Sequence, residues 1–272
     1  MHKFTQLAAV AISCVFLFSC QKDKALSTEK PISEEVKAKV KALGFGVSTL
    51  ERHEDGYMVE GDIILTEKTL NSVPASIRLQ VANVEQYSTF NVVSPASYPT
   101  IKVAMDARLA AYAGYPQALT EVVNRYNAEN LSIQFQLSSI AAADILFING
   151  NGNFLASAGF PGSDGSPYGE VKVNARAIGS GTSATFTNYL ATILAHEAGH
   201  CIGFRHTDWF NRAYSCGGAP TNEGQSNSGV GAVLITGTPS TADAGSFMLS
   251  CIGNNVNRPF NANDKKALDV LF

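Results

Sequence analysis

The sequence predicts an α+β protein, with a small α/β module at the front and a larger domain whose strands lead up to one long functional helix. Three observations point there. Short segments alternate apolar with polar residues, longer ones repeat apolar residues at helical spacing, and three of the chain's five histidines crowd into "HEAGHCIGFRH", residues 196–206. The 272 residues are enough for one good-sized domain and a smaller one.

At the N-terminus Lys3 precedes the apolar run "LAAVAISCVFLF" and then "SCQKDK". That run is short for a membrane span and suits the core of a signal peptide. "LFSC" resembles a bacterial lipobox, so residues 1–19 are expected to be a lipoprotein signal peptide and Cys20 the lipid-bearing residue. Residues 20–30 are polar and charged and read as a tether. The expected location is a bacterial cell envelope, with the chain lipid-anchored at the outer membrane, facing the periplasm or the surface, and open to release by proteolysis.

Residues 31–90 form the expected N-terminal module. "PISEEVKAKVKALGFG" reads as a helix, with Ser33 at its N-cap, acids in its first turn and Gly44 past its end. "GVSTLERHEDGYMVEGDIIL" reads as two strands joined at Asp55-Gly56. The stretch "EQYSTFNVVSPASYP" connects this module to residues 96–272. There "TIKVAMD" alternates Ile101, Val103 and Met105. "YPQALTEVVNRYNAE" places Leu119, Val122, Val123 and Tyr126 on one helical face behind an early Pro116. "LSIQFQL", "ADILFI" and "EVKVNA" read as strands, and "SATFTNYLATILAHEAGHCI" as a helix. "NANDKKALDVLF" reads as a closing helix with Asn263 as its cap.

On that second long helix His196 and His200 stand four residues apart, hence on one face, where two imidazoles bind a single tetrahedral Zn²⁺ ion. Glu197 lies beside the metal, placed to take a proton from its water. Gly203 accepts the left-handed conformation that ends a helix, so the chain turns and returns His206 as a third ligand. A fourth position stays open, as catalytic zinc requires. These five positions match HExxHxxGxxH, the long zinc signature of the metzincin metallopeptidases, and the chain resembles that clan. "AGSFMLSCIG" resembles the clan's methionine turn, with Met248 in the methionine's place. Ser250 stands where some members carry a metal-reaching tyrosine, so no such ligand is expected. "ASAGFPGSDGSPYGEVKVN" resembles the matrix-metalloproteinase edge-strand region, where a peptide lies against the sheet. The motif wording, leader and C-terminal half together most resemble the bacterial dual-action HEIGH metallopeptidases.

The resemblance implies a catalytic domain over residues 96–272 with a twisted mixed sheet, an active-site helix and a methionine turn. It implies a zinc endopeptidase holding one catalytic ion and acting on protein or peptide substrates. Calcium is compatible with the sequence and not specified by it, and a monomer is expected. Two other readings stay open at this point: a surface lipoprotein that binds a ligand and keeps a structural zinc, and a zinc hydrolase of a non-peptide amide. The net charge of −3 and pI near 6.0 give no electrostatic basis for nucleic-acid binding. Of the cysteines left beyond the leader, Cys216 and Cys251 are the expected disulfide and Cys201 is expected to be buried. "VEGDIIL", residues 59–65, resembles the F-x-G-D-I motif of astacin-type precursors, with Val59 in place of phenylalanine. That likeness makes Asp62 a candidate latency ligand and the module a candidate pro-segment.

Overall fold

The computed structural model describes residues 31–71, 86–225, 231–239 and 241–272. Residues 1–30, with the expected signal peptide and tether and with Cys20, lie outside the described residues. Residues 32–272 form one compact unit. Its class is the α+β class expected, with a mixed central sheet.

Helix α1 (Glu34–Leu43) begins where the Ser33 side chain accepts from Val36 N–H and ends at Gly44, whose φ of 102° is left-handed. It is followed by β1 (Glu51–His53), β2 (Gly56–Val59) and β3 (Ile63–Leu65), a three-stranded antiparallel sheet, and the one-turn helix α2 (Glu67–Leu70). The sequence reading had two strands here. Glu60 and Gly61 both take positive φ (58° and 90°) and reverse the chain, so "DIIL" folds back beside β2 as a third strand. The β1–β2 turn consists of Glu54 and Asp55, one residue earlier than Asp55-Gly56, since His53 pairs with Gly56. Val40, Leu43, Phe45, Val59, Ile63, Leu65 and Leu70 make a separate apolar cluster, against which Phe160 packs from the rest of the chain. At the hairpin tip Glu54 and Asp55 both pair with Lys172.

The short strand β4 (Tyr87–Ser88) precedes β5 (Thr100–Met105), α3 (Ala107–Ala110), α4 (Tyr115–Asn127), β6 (Gln134–Leu137), β7 (Ile145–Asn149), β8 (Ala156–Ser157) and β9 (Glu170–Val173). The central sheet runs β6-β5-β7-β9-β8, parallel except for the antiparallel edge strand β8. Parallel neighbours need crossovers, and α4 supplies the one between β5 and β6. Its Leu119, Val122 and Tyr126 are buried against α6 (Ala184–Ile202), which follows the one-turn α5 (Ala175–Ile178). Every residue of α6 from Tyr189 to Ile202 is buried. That is the environment of a helix enclosed on all sides rather than laid on a surface. Tyr126 donates its hydroxyl to Ala195 O at 2.9 Å, so the buried phenol is satisfied where the two helices meet.

After α6 come β10 (Phe204–Arg205), α7 (Ala213–Cys216), β11 (Val233–Leu234) and α8 (Ala262–Leu271). Strand β4, in the stretch read as a plain connection, pairs with both β10 and β11. Asn261 caps α8 two residues before the expected Asn263, because its side chain accepts from Asn263 and Asp264 N–H while Asp264 returns the bond in a capping box. Asp264 is fully buried and gathers four donors: Gln86 Nε2 (2.7 Å), Ser246 Oγ (2.7 Å), Phe247 N (3.3 Å) and Asn261 N (3.0 Å). It therefore ties the start of α8 to the loop that carries Met248. Asp264→Ala strands these donors and is expected to cost at least about 2 kcal/mol, read as a lower urea midpoint. A loss under about 0.5 kcal/mol would mean that the loop is anchored elsewhere.

Candidate metal centre

The site is built on the C-terminal turns of α6. Ser183 caps the helix by accepting from Phe186 N–H, and Gly203 ends it with φ 120°. A side chain at Gly203 would also meet Val92 Cγ1 at 2.9 Å and Asn91 O at 3.0 Å, so glycine is required by space as well as by conformation. The chain then reverses through β10 and returns His206 to the two histidines of the helix.

The three Nε2 atoms converge, at 3.0 Å for His196–His200, 3.2 Å for His200–His206 and 3.3 Å for His196–His206. Their Nδ1 atoms face Phe247 O (2.8 Å), Phe204 O (2.8 Å) and the Glu223 carboxylate (3.0 Å). Two of these partners are carbonyl oxygens, which only accept, so His196 and His200 carry their proton on Nδ1 and present an Nε2 lone pair to the centre. His206 does the same when it donates to ionised Glu223. Converging lone pairs repel unless a cation lies between them. Four tetrahedral zinc ligands at ~2.0–2.1 Å stand about 3.3 Å apart, close to the spacing seen. The donor set fits zinc.

Asp62 Oδ2 lies 3.1 Å from His206 Nε2 and 3.7 Å from His196 Nε2, and the four side chains form one buried group able to hold a metal ion. Burial works against charge on His206, yet the Asp62 and Glu223 carboxylates on either side hold its pKa well above the ordinary value. Burial, then the neighbouring His196 and His206, push His200 well below it. The cluster thus takes positive charge at its centre, as a proton on His206 or as a metal ion. Glu197 is buried with one carboxylate oxygen, Oε2, lacking a partner among the described residues. Burial and the nearby Asp62 charge raise it well above the usual carboxylate range.

Met248 is buried under the helix, and a Cβ at Gly199 would meet its Sδ at 2.7 Å. Gly199, between the two helical histidines, is therefore a packing requirement as well as part of the motif. The Ser250 hydroxyl faces carboxylates: Asp208 Oδ1 at 2.8 Å and Glu223 Oε1 at 3.1 Å. Cys216 and Cys251 are disulfide-bonded, joining α7 to the segment after Met248, and Cys201 is buried within α6. Sequence reasoning missed Glu223, Arg212 and Arg205. Arg212 Nη1 holds Glu223 at 2.6 Å, and fully buried Arg205 pairs with buried Glu60. Only Arg205 had a local signal, as a charge inside the motif next to His206. Glu223 lies in an irregular loop with no periodicity to mark it.

A cluster of this kind beside an unpaired glutamate places the chain among metal-dependent hydrolases. The profile of the dual-action HEIGH metallo-peptidase family matches residues 57–272, and the chain belongs to that family. It is a zinc metallopeptidase. Ala198 occupies the middle position of the family's HEIGH. No curated protein matches the chain in sequence. Among solved structures, myroilysin is 16% identical over 67% of this chain and 96% of its own, with a TM-score of 0.40. High choriolytic enzyme 1, a hatching-enzyme zinc protease of the medaka Oryzias latipes, is 16% identical over 66% of this chain and 92% of its own, with a TM-score of 0.38. The GM1-bound ECX AB5 holotoxin matches with 15% identity over 71% of this chain and 91% of the other, at a TM-score of 0.42.

A carboxylate on the far nitrogen of a ligating histidine typically contributes 10–100-fold to metal affinity. Glu223→Ala is expected to weaken zinc binding by about that factor in chelator competition, with Glu223→Gln intermediate. Unchanged affinity in both variants would show that Glu223 does not act through His206.

Proposed function

We propose that the chain is a secreted, lipid-anchored zinc endopeptidase in which Glu197 is the general base, and that residues 31–90 are a pro-segment whose Asp62 keeps it latent. The observation that carries the catalytic part is the unpaired, buried Glu197 oxygen beside three converging imidazoles. A purely structural metal site gains nothing from such a carboxylate, and membership of a peptidase family disfavours the reading as a ligand-binding lipoprotein. The same membership favours a peptide bond over another amide.

His196, His200 and His206 would hold the zinc, which when bound acts as a Lewis acid and lowers the pKa of a water toward neutrality. Phe247 O, Phe204 O and Glu223 fix the three imidazoles in the tautomer and orientation this needs. Glu197 takes the proton of the attacking water and delivers it to the leaving amine. Met248 supports the histidine face of α6 from below, the place of a methionine turn. A peptide is aligned by main-chain hydrogen bonds along the sheet edge at β8.

Latency is supported by what already lies along that edge. Ile64 N donates to Ala158 O at 2.7 Å and Ala158 N to Asp62 O at 2.9 Å, so the segment after Gly61 takes the peptide's hydrogen bonds next to β8. Asp62 stands at the fourth corner of the histidine cluster, where a carboxylate oxygen is an acceptable zinc ligand. With Asp62 there, the open position that catalysis requires is filled.

One assay series addresses base and latch together. Glu197→Gln should keep one zinc per chain and lose at least ~100-fold in turnover of casein or a fluorogenic peptide. Asp62→Ala in the full-length chain should raise turnover above that of the unaltered chain. Near-normal activity of the first variant with zinc bound would remove Glu197 as base, and equal activity of the second with the unaltered chain would remove the latch.

The anchor is tested separately. Among the described residues no helix is long and apolar enough to cross a membrane. With lipid on Cys20 as the membrane tie, Cys20→Ser should move the protein from the membrane to the soluble fraction. Retention of the variant on membranes after a salt wash would contradict lipidation at that residue.

A further inference from the structure

A cavity of about 250 Å³ opens beside His196 and Glu197. Ile193, Leu249 and Ile252 are among its apolar walls; Asp62, Glu197 and Arg212 also line it, as does Arg258. The position of Arg258 is built rather than incidental. Its backbone N–H donates to Thr192 Oγ1 at 3.0 Å, one turn before His196 on α6, and its Nη1 donates to Cys251 O at 2.9 Å. The disulfide to Cys216 holds Cys251 in turn.

Arg258 differs from the other arginines around α6 and the metal centre. Arg125 pairs with Glu121, Arg205 with Glu60 and Arg212 with Glu223. Among the described residues, no carboxylate lies within the 4.0 Å ion-pair distance of Arg258. Burial pulls its pKa down, with the charges of Asp208 and Asp264 acting only partly against this. A half-buried guanidinium without an ion pair is unfavourable and becomes favourable when a carboxylate joins it. Its planar fork matches a carboxylate in geometry as well as in charge.

We propose that this cavity is the recognition pocket for an acidic side chain, aspartate or glutamate, of the substrate residue adjoining the scissile bond, with Arg258 as the specificity-determining residue. The inference rests on the peptidase reading and narrows it to a substrate class. The apolar walls take the methylene stem, and Arg258 takes the carboxylate. A neutral amide of the same shape leaves the guanidinium without its charge partner, and a lysine adds repulsion. A free chain end offers the same carboxylate chemistry, so the experiment must separate it from a side chain.

The test uses the zinc-loaded full-length chain, unaltered and as Asp62→Ala, with fluorogenic peptides differing only in Glu, Gln or Lys beside the cleaved bond. All are C-terminally amidated, and the Gln peptide is also made with a free C-terminus. The Glu peptide is expected to exceed the Gln peptide in kcat/KM by about tenfold or more, a difference near 1.4 kcal/mol. Arg258→Gln should collapse that ratio to within about twofold. Arg258→Lys should keep part of it, and Arg258→Glu should shift the preference to the Lys peptide. Each ratio is taken on one enzyme preparation, so a partly misfolded variant does not distort it. A wild-type ratio under about twofold, or one that survives Arg258→Gln, overturns the assignment. So does an Arg258-dependent preference for the free C-terminus over the Glu side chain. Cleavage without acidic preference leaves the peptidase reading standing. A zinc-loaded chain that cleaves no peptide in either form overturns both.

Discussion

Three imidazole lone pairs 3.0–3.3 Å apart repel one another unless positive charge lies between them, and much of this structure serves to hold them there. Each ring is set by a bond on its far nitrogen, and each of those bonds comes from a different part of the chain. Phe204 O follows the helix end, Phe247 O belongs to the loop pinned by Asp264, and Glu223 lies in the loop next to α7. Gly203 lets His206 return, and Gly199 lets Met248 press against the helix between the other two ligands. The enclosed character of α6 follows from the same demand, since a helix surrounded by core cannot rotate its histidines away from the centre.

The charges around the cluster also fall into order. Arg205 pairs with Glu60 and Arg212 with Glu223, while Asp62 faces His206 and His196 and Glu197 has no ion-pair partner among the described residues. Buried carboxylates without compensation are costly, so a metal ion at the histidines would balance the interior as well as complete the ligand set. Two of the four acids, Glu60 and Asp62, come from one tight reversal in the N-terminal segment, with Gly61 between them against the Arg212 guanidinium. The electrostatics of the centre therefore depend on that segment, which gives the proposed latency a physical form: removing the segment would take charge out of the site as well as mass out of the cleft.

The parts legible in the sequence were those that depend on local spacing. The i, i+4 histidines, the glycine after them and the third histidine all lie within eleven residues, so helix geometry and one glycine-ended reversal bring them together. The Ser33 and Gly44 caps and the alternation of "TIKVAMD" were readable for the same reason. What depended on long-range contact was not. Glu223 meets His206 through an irregular loop, and β4 becomes a strand only because β10 and β11 flank it. The third strand of the N-terminal sheet required positive φ at Glu60, which side-chain patterning does not reveal. Asn261 and Asn263 both suit a helix cap, and the reciprocal bond with Asp264 selects the first.

The most direct measurement is zinc X-ray absorption on the purified full-length chain, together with its metal content. The arrangement described here predicts one zinc per chain, bound by three imidazole nitrogens with oxygen completing the set and no sulfur. A spectrum with two imidazoles or fewer, or with a sulfur ligand at the metal, would contradict it.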